Sequence, residues 1–231
     1  MRKKETPPVK VAILIDGSFF IKRFNKLYNK DRSMTGEQVA DCIQTMVRKH
    51  IESNDTLYRI FFYDCVPLDK KIQNPVTKKP IDLSKTPQYK FRMELFEALK
   101  KKRKVALRLS TIKDNHNWQI RSAVVKDLLN GKKTLEELKE DDVYPDFKQK
   151  GVDMKIGVDV ASLALKRFVD RIVLFSGDSD FVPASKLARR EGIDFILDPM
   201  KANVEPQLFE HIDGMKSVSP YNYRKPIKKN E

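Results

Sequence analysis

Ile172-Val173-Leu174-Phe175 is an apolar run closed by Ser176-Gly177 and followed by two acids, Asp178 and Asp180. A short run of this kind, with β-branched residues and a turn at its end, reads as a strand buried on both faces. Phe181 to Arg190 then reads as a helix, with Asp180 as its N-cap and Pro183 tolerated in the first turn. Strand, acidic turn and helix in that order are the unit of an α/β sheet. Sites in such sheets form outside the carboxyl ends of the strands. Taken by themselves, Asp178 and Asp180 are more at home as a turn residue and a helix cap.

The pattern recurs along the chain. Val9 to Ile15 is a second buried-strand run, it ends in Asp16-Gly17-Ser18, and a helix is expected from Phe19 to Tyr28. A helix starts at Thr35-Gly36-Glu37-Gln38 and runs to about Ile51, with Val39, Ile43, Met46 and Val47 at helical spacing. Tyr58 to Tyr63 is a third strand and again ends in an acid, Asp64. Residues 66–86 are rich in proline and poor in apolar residues, which predicts a loop insertion. A helix over Phe91–Lys102 and a strand over Val105–Ser110 follow. Residues 113–149 form a polar insert, with short helices expected near 122–130 and 134–140.

Lys150-Gly151-Val152-Asp153 then opens a helix. Its Met154, Val158, Ala161, Leu165 and Phe168 recur at three- and four-residue steps and are expected to pack on the sheet. A last strand, Ile193–Leu197, and a short helix near 204–211 complete the domain. Buried strands alternating with helices predict an α/β domain over 9–219 with a mostly parallel sheet, flanked by basic tails at 1–8 and 220–231.

Three separate segments deliver aspartates to one place. Asp16 and Asp178 each follow a buried parallel strand, so both reach the same sheet edge. Asp153 begins a helix that enters from that edge. Gathered carboxylates repel one another unless a cation sits among them. Mg²⁺ suits such a cluster because it takes oxygen ligands, keeps several waters and needs only a few carboxylates beside substrate phosphates; Mn²⁺ accepts the same ligands. Such an ion can activate water and neutralise charge on a phosphodiester. Asp159 lies about 240° round the helix from Asp153 and does not share its face. It is either a supporting group or a structural one. For Asp64 a turn role is expected.

The chain has 231 residues, with 46 Lys and Arg against 32 Asp and Glu, a formal charge of +14. That excess favours a polyanionic partner, of which nucleic acid is the commonest. Candidate contacts are the run Lys100-Lys101-Lys102-Arg103-Lys104, the tail from Tyr223 to Lys229, and Lys150 and Lys155 beside Asp153. Lys101, Lys102 and Arg103 could equally be a solvated helix end. Trp118 in the insert reads as packing rather than base stacking. No apolar run reaches the ~18 residues of a membrane span, and the N-terminus shows no apolar segment behind its charges. Two cysteines, Cys42 and Cys65, make neither a metal spacing nor a disulfide framework and suit a reducing cytoplasm. The three histidines have no partner motif for triad catalysis.

These residues resemble the NYN family, the LabA-like branch of the PIN-like nucleases. The resemblance rests on Ile15-Asp16-Gly17-Ser18, Lys150-Gly151-Val152-Asp153 and Ser176-Gly177-Asp178-Ser179-Asp180-Phe181-Val182-Pro183, in that order and strand–helix context. It covers residues 9–65 and 150–200 well. It implies a Rossmann-like PIN fold, Mg²⁺ or Mn²⁺ held by Asp16, Asp153 and Asp178, support from Asp180, and ribonuclease activity on RNA. Many relatives carry Asn two or three residues after the first acid; here Ser18 and Phe19 stand there, and the Ser18 hydroxyl can still bond a phosphate or water. The alternative is an inactive RNA-binding or assembly module of the same fold, and a homo-oligomer is compatible with either. A metal-dependent phosphatase of the haloacid-dehalogenase type ranks low, because Asp16-Gly17-Ser18 lacks that class's second acid.

Overall fold

The structure, a computed structural model, describes residues 7–221. Most of the tails expected at 1–8 and 220–231, including Tyr223 to Lys229, lie outside the described residues. β1 (Val9–Asp16) is the central strand, and Val11 to Ile15 are wholly buried on both of its faces. α1 (Gly17–Tyr28) starts directly after it, and α2 (Gly36–Arg48) begins on a full capping box between Thr35 and Gln38. β2 (Asp55–Val66) lies parallel to β1. A small antiparallel hairpin, β3 (Lys71–Gln73) and β4 (Pro80–Asp82), occupies the stretch expected to be loop. α3 (Pro87–Lys100) follows, capped by Thr86 with Pro87 at its first position.

β5 (Val105–Ile120) is far longer than its apolar core. Its first half pairs in parallel with β2, and its second half runs on past the end of β2. After α4 (Ser122–Leu129) the chain returns as β6 (Val143–Lys150), antiparallel to β5. The polar insert is therefore a two-stranded arm with a helix at its tip. The expected helix over 134–140 is absent; those residues form turns and the start of a 3-10 turn at Glu140. α5 (Val152–Leu165), β7 (Arg171–Phe175), α6 (Val182–Arg190), β8 (Asp194–Asp198), α7 (Pro206–Phe209) and β9 (Gly214–Met215) complete the fold.

The seven-stranded sheet has the order β6-β5-β2-β1-β7-β8-β9, with every pairing parallel except β5–β6. One apolar core joins the sheet to α1, α2 and α3, and a second joins it to α5, α6 and α7. The fold is thus a mostly parallel sheet between two helical layers. From β1 the chain builds outward through β2 and β5, then returns to the other side of β1 as β7. That reversal makes the carboxyl ends of β1 and β7 the crevice where α/β sheets hold their ligands.

α5 corrects one expectation. Val152, Ile156, Val160, Leu163 and Ala164 face the core, whereas Met154 is 75% and Val158 61% exposed. Leu165 and Phe168 are exposed as well, and Phe168 stacks on Tyr58. Both stripes obey helical spacing, so spacing alone did not distinguish them. Among the described residues, no helix is long and apolar enough to cross a membrane.

Candidate active site

Asp16 is the last residue of β1 and the N-cap of α1; its carboxylate accepts from the Phe19 amide at 3.1 Å. The next residue has to be glycine. A Cβ on Gly17 would stand 2.6 Å from the Tyr63 carbonyl and 2.8 Å from the Phe62 ring. Gly17→Ala should therefore cost about 2 kcal/mol through overpacking and displace Asp16. A lowered urea midpoint together with a lowered cleavage rate would check this.

Asp153 enters from the other side. Lys150, the end of β6, pairs with Thr111, the last residue of the β2–β5 ladder. Gly151 then turns the chain at φ 77°, a left-handed conformation that suits glycine. Asp153 falls in the exposed first turn of α5. Asp178 leaves the end of β7, beside β1, and accepts from the Asp180 amide at 3.0 Å. It is Asp178, not Asp180, that caps the local 3-10 turn, and Phe181 is the N-cap of α6. The expected cap at Asp180 is thus displaced by one short turn, which leaves the exposed Asp180 side chain free of that role.

The acids act on one another. Burial raises the Asp16 carboxyl to about 6, and the charges of Asp153 and Asp178 add to that rise. Asp153 is raised by burial, then by Asp178 and Asp180. An acid held at a raised pKa binds its proton more tightly folded than unfolded. Without a cation the protein therefore loses stability as pH climbs from about 4 to about 6. Asp16→Asn keeps the cap acceptor and removes this cost. It should stabilise the metal-free protein at pH 7 by ~2 kcal/mol, or about 5 °C in melting temperature, and flatten that pH dependence. Melting curves at pH 4.5 and 7 check both.

The donor set consists of hard carboxylate oxygens, which match Mg²⁺ or Mn²⁺. Among the described residues, no three His, Cys, Asp or Glu side chains stand close enough to hold one ion directly. Asp16 and Asp178 each spend an oxygen on a backbone amide. The cluster thus fits an ion that keeps much of its water and takes its remaining ligands from substrate phosphate, as Mg²⁺ does.

Asp64 is the residue that sequence reasoning misplaced. It occupies no turn; it is fully buried in β2 at the same edge. It is ion-paired to Arg92 of α3, accepts from the Cys65 amide at 2.8 Å and lies 3.5 Å from the Ser18 hydroxyl. Ser18 in turn accepts from Gln149 on the β5–β6 arm at 2.8 Å. Burial lowers the Arg92 guanidinium to about 10, against the opposing pull of Asp16. A strand ending in an acid was the available signal, but its Arg partner lies 28 residues away on a helix.

Asp159 proves to be a support. It accepts from the Tyr63 hydroxyl at 2.8 Å and from Arg108 at 3.0 Å. Asp198 also ends a parallel strand, but it is consumed by His50 and by the amides of Met200 and Val218. Lys150 is exposed beside the acids, whereas Lys155 is tied to the Leu109 carbonyl at 2.6 Å.

Lys101, Lys102 and Arg103 do not join the site. They precede β5, whose start pairs with Ile60, so they lie at the amino edge of the sheet, about 13 Å along the strands from Asp64. Lys102 is paired with Asp41, Lys100 with Glu97, and Lys104 with the Leu57 carbonyl. Lys101 and Arg103 are exposed at that edge.

The protein-family model described as the NYN domain matches residues 10–204. No curated protein matches the chain. Among solved structures, a protein of unknown function from Vibrio parahaemolyticus RIMD 2210633 is similar at 15% identity, over 94% of this chain and 96% of that one, with a TM-score of 0.46.

Proposed function

The chain belongs to the NYN domain family of the PIN-like nuclease superfamily, and from that premise we propose that it is a divalent-metal-dependent ribonuclease. The observation that carries this reading is the convergence of acids from β1, α5 and the turn after β7 on one crevice, with charges that reach one another. Asp16, Asp153 and Asp178 would hold Mg²⁺ or Mn²⁺ in part through the ion's own waters rather than by all binding it directly, and Asp180 would add negative charge at the rim. When bound, the ion supplies a Lewis acid that activates water and neutralises charge on the phosphodiester.

The chain's own residues do the rest. Asp16 and Asp178 are fixed in direction by the amides they accept from. Above about pH 6 Asp16 is ionised and able to bind a cation. Ser18 stands where relatives carry Asn; its one hydroxyl hydrogen is directed at Asp64 and it accepts from Gln149, which leaves a lone pair to receive a water. Arg92 brings positive charge to the edge of the acid cluster.

The basic surface offered to the strand is the β5–β6 arm. Lys113 and Lys148 face each other across its ladder, and Lys150 follows on the same strand. Like charges directly opposite one another destabilise a strand pair. An anion laid over the arm would relieve that cost. Binding should accordingly weaken steeply with salt, as neutralised phosphates release counterions.

The reading is tested by salt-dependent RNA binding and metal-dependent cleavage measured together. Binding without cleavage in either metal would favour an inactive RNA-binding module of the same fold.

A further inference from the structure

A cavity of about 340 Å³ opens between α1 and α3, directly beside the acids, and the proposed nuclease reaction leaves it without a role. Its position follows from helical spacing. Ser18, Lys22, Asn25 and Asn29 recur at steps of three and four along α1, so one stripe of the helix leads away from the Asp16 turn. Across from it α3 presents Gln88, Phe91 and Arg92, also within one turn of each other. Ile21 and Met34 make the floor apolar.

The chemistry of this lining is specific. Asn29 donates to the Asn25 side-chain oxygen at 2.9 Å and accepts from the Met34 amide, so Asn29 is structural. Lys22, Arg32 and Gln88 are exposed and line the cavity. Arg32 sits at φ 56°, in the left-handed region that an arginine rarely adopts. Two cations, an amide, an aromatic side chain and an apolar floor together match a nucleotide: phosphate on Lys22 and Arg32, base on Phe91 and Gln88. The volume falls in the range of small-ligand pockets. Ser18 and Arg92 line the cavity and also bond Asp64, so the cavity shares a wall with that ion pair, and Ser18 lies two residues from Asp16.

We propose that this cavity is a nucleotide subsite, seating the RNA residue next to the scissile phosphodiester; the RNA part of this inference rests on the nuclease reading above. Two measurements separate the inferences. The first is equilibrium dialysis of uridine and adenosine 5′-monophosphates against the full chain in EDTA, which needs neither metal nor cleavage. The wild-type chain should bind both nucleotides. Lys22→Ala and Arg32→Asn, the latter chosen because Asn tolerates the left-handed backbone, should each weaken binding about tenfold. Phe91→Leu should weaken nucleotide binding and leave inorganic phosphate binding alone. Wild-type affinity in all three variants, or phosphate bound as tightly as nucleotide, overturns the subsite. The second measurement is RNA turnover, where Lys22→Ala and Arg32→Asn should raise KM about tenfold, with the loss falling on KM rather than kcat. A fall in kcat with KM unmoved overturns the placement beside the scissile bond. If the chain binds nucleotides but cleaves no RNA, the nuclease reading fails and the subsite stands.

Discussion

Asp178→Asn is expected to reduce RNA cleavage by at least about 10³-fold while leaving the fold and RNA binding in place. The side chain is exposed, and its Oδ1 accepts from the Asp180 amide at 3.0 Å. Asn keeps that acceptor and caps as well as Asp does, so the 3-10 turn and α6 should survive. What changes is the charge. A neutral amide is a poorer ligand for a hard cation than a carboxylate. A metal's stabilisation of the transition state is worth several kcal/mol, and ~4 kcal/mol is about three decades in rate. On the proposed reading RNA binding would draw on Lys113, Lys148 and Lys150 of the arm, and it should persist. If Asp178 is a cap and nothing more, the substituted protein will cleave at the wild-type rate. Single-turnover cleavage, beside a filter-binding measurement on the same preparations, separates the two outcomes.

Arg92→Met carries the largest expected effect on stability. Asp64 is fully buried, and its charge is answered by Arg92. The Cys65 amide and the Ser18 hydroxyl help but are neutral. Removing the guanidinium leaves a buried carboxylate unpaired, which costs about 3–5 kcal/mol. For a chain of this size that is on the order of 10 °C in melting temperature. Restoring neutrality with Asp64→Asn in the Arg92→Met background should recover most of the loss, because an amide without charge is far cheaper to bury. A melting temperature within 2 °C of wild type in Arg92→Met would show that the pair does not hold this edge together.

The central strands and their acids were legible because burial on both faces forces an unbroken apolar run, as in Val11–Ile15 and Ile172–Phe175. The β5–β6 arm was not. Asp114-Asn115-His116-Asn117 and Val143-Tyr144-Pro145-Asp146 lack such a run, since the arm is held by pairing rather than by burial. The core face of α5 stayed hidden because that helix is apolar on two sides, and packing against β1, β2 and α6 decided between them. Asp64 was misjudged because a strand-ending acid looks the same in sequence whether it turns into solvent or meets Arg92. The lysine run at 100–104 could not be placed relative to the acids from sequence, because only the pairing of β5 with β2 fixes which sheet edge it occupies. The convergence of Asp16, Asp153 and Asp178 on the carboxyl edge could be argued from connectivity alone, because parallel strands deliver their ends to one side.

The most direct test is to incubate the full chain with end-labelled single-stranded RNA in Mn²⁺, in Mg²⁺ and in EDTA, with Asp178→Asn purified in parallel. Cleavage in Mn²⁺ or Mg²⁺, its loss in EDTA, its return when metal is restored in excess, and its absence from the Asp178→Asn preparation are predicted. Cleavage that persists in EDTA, or intact RNA in both metals, would contradict the metal-dependent nuclease.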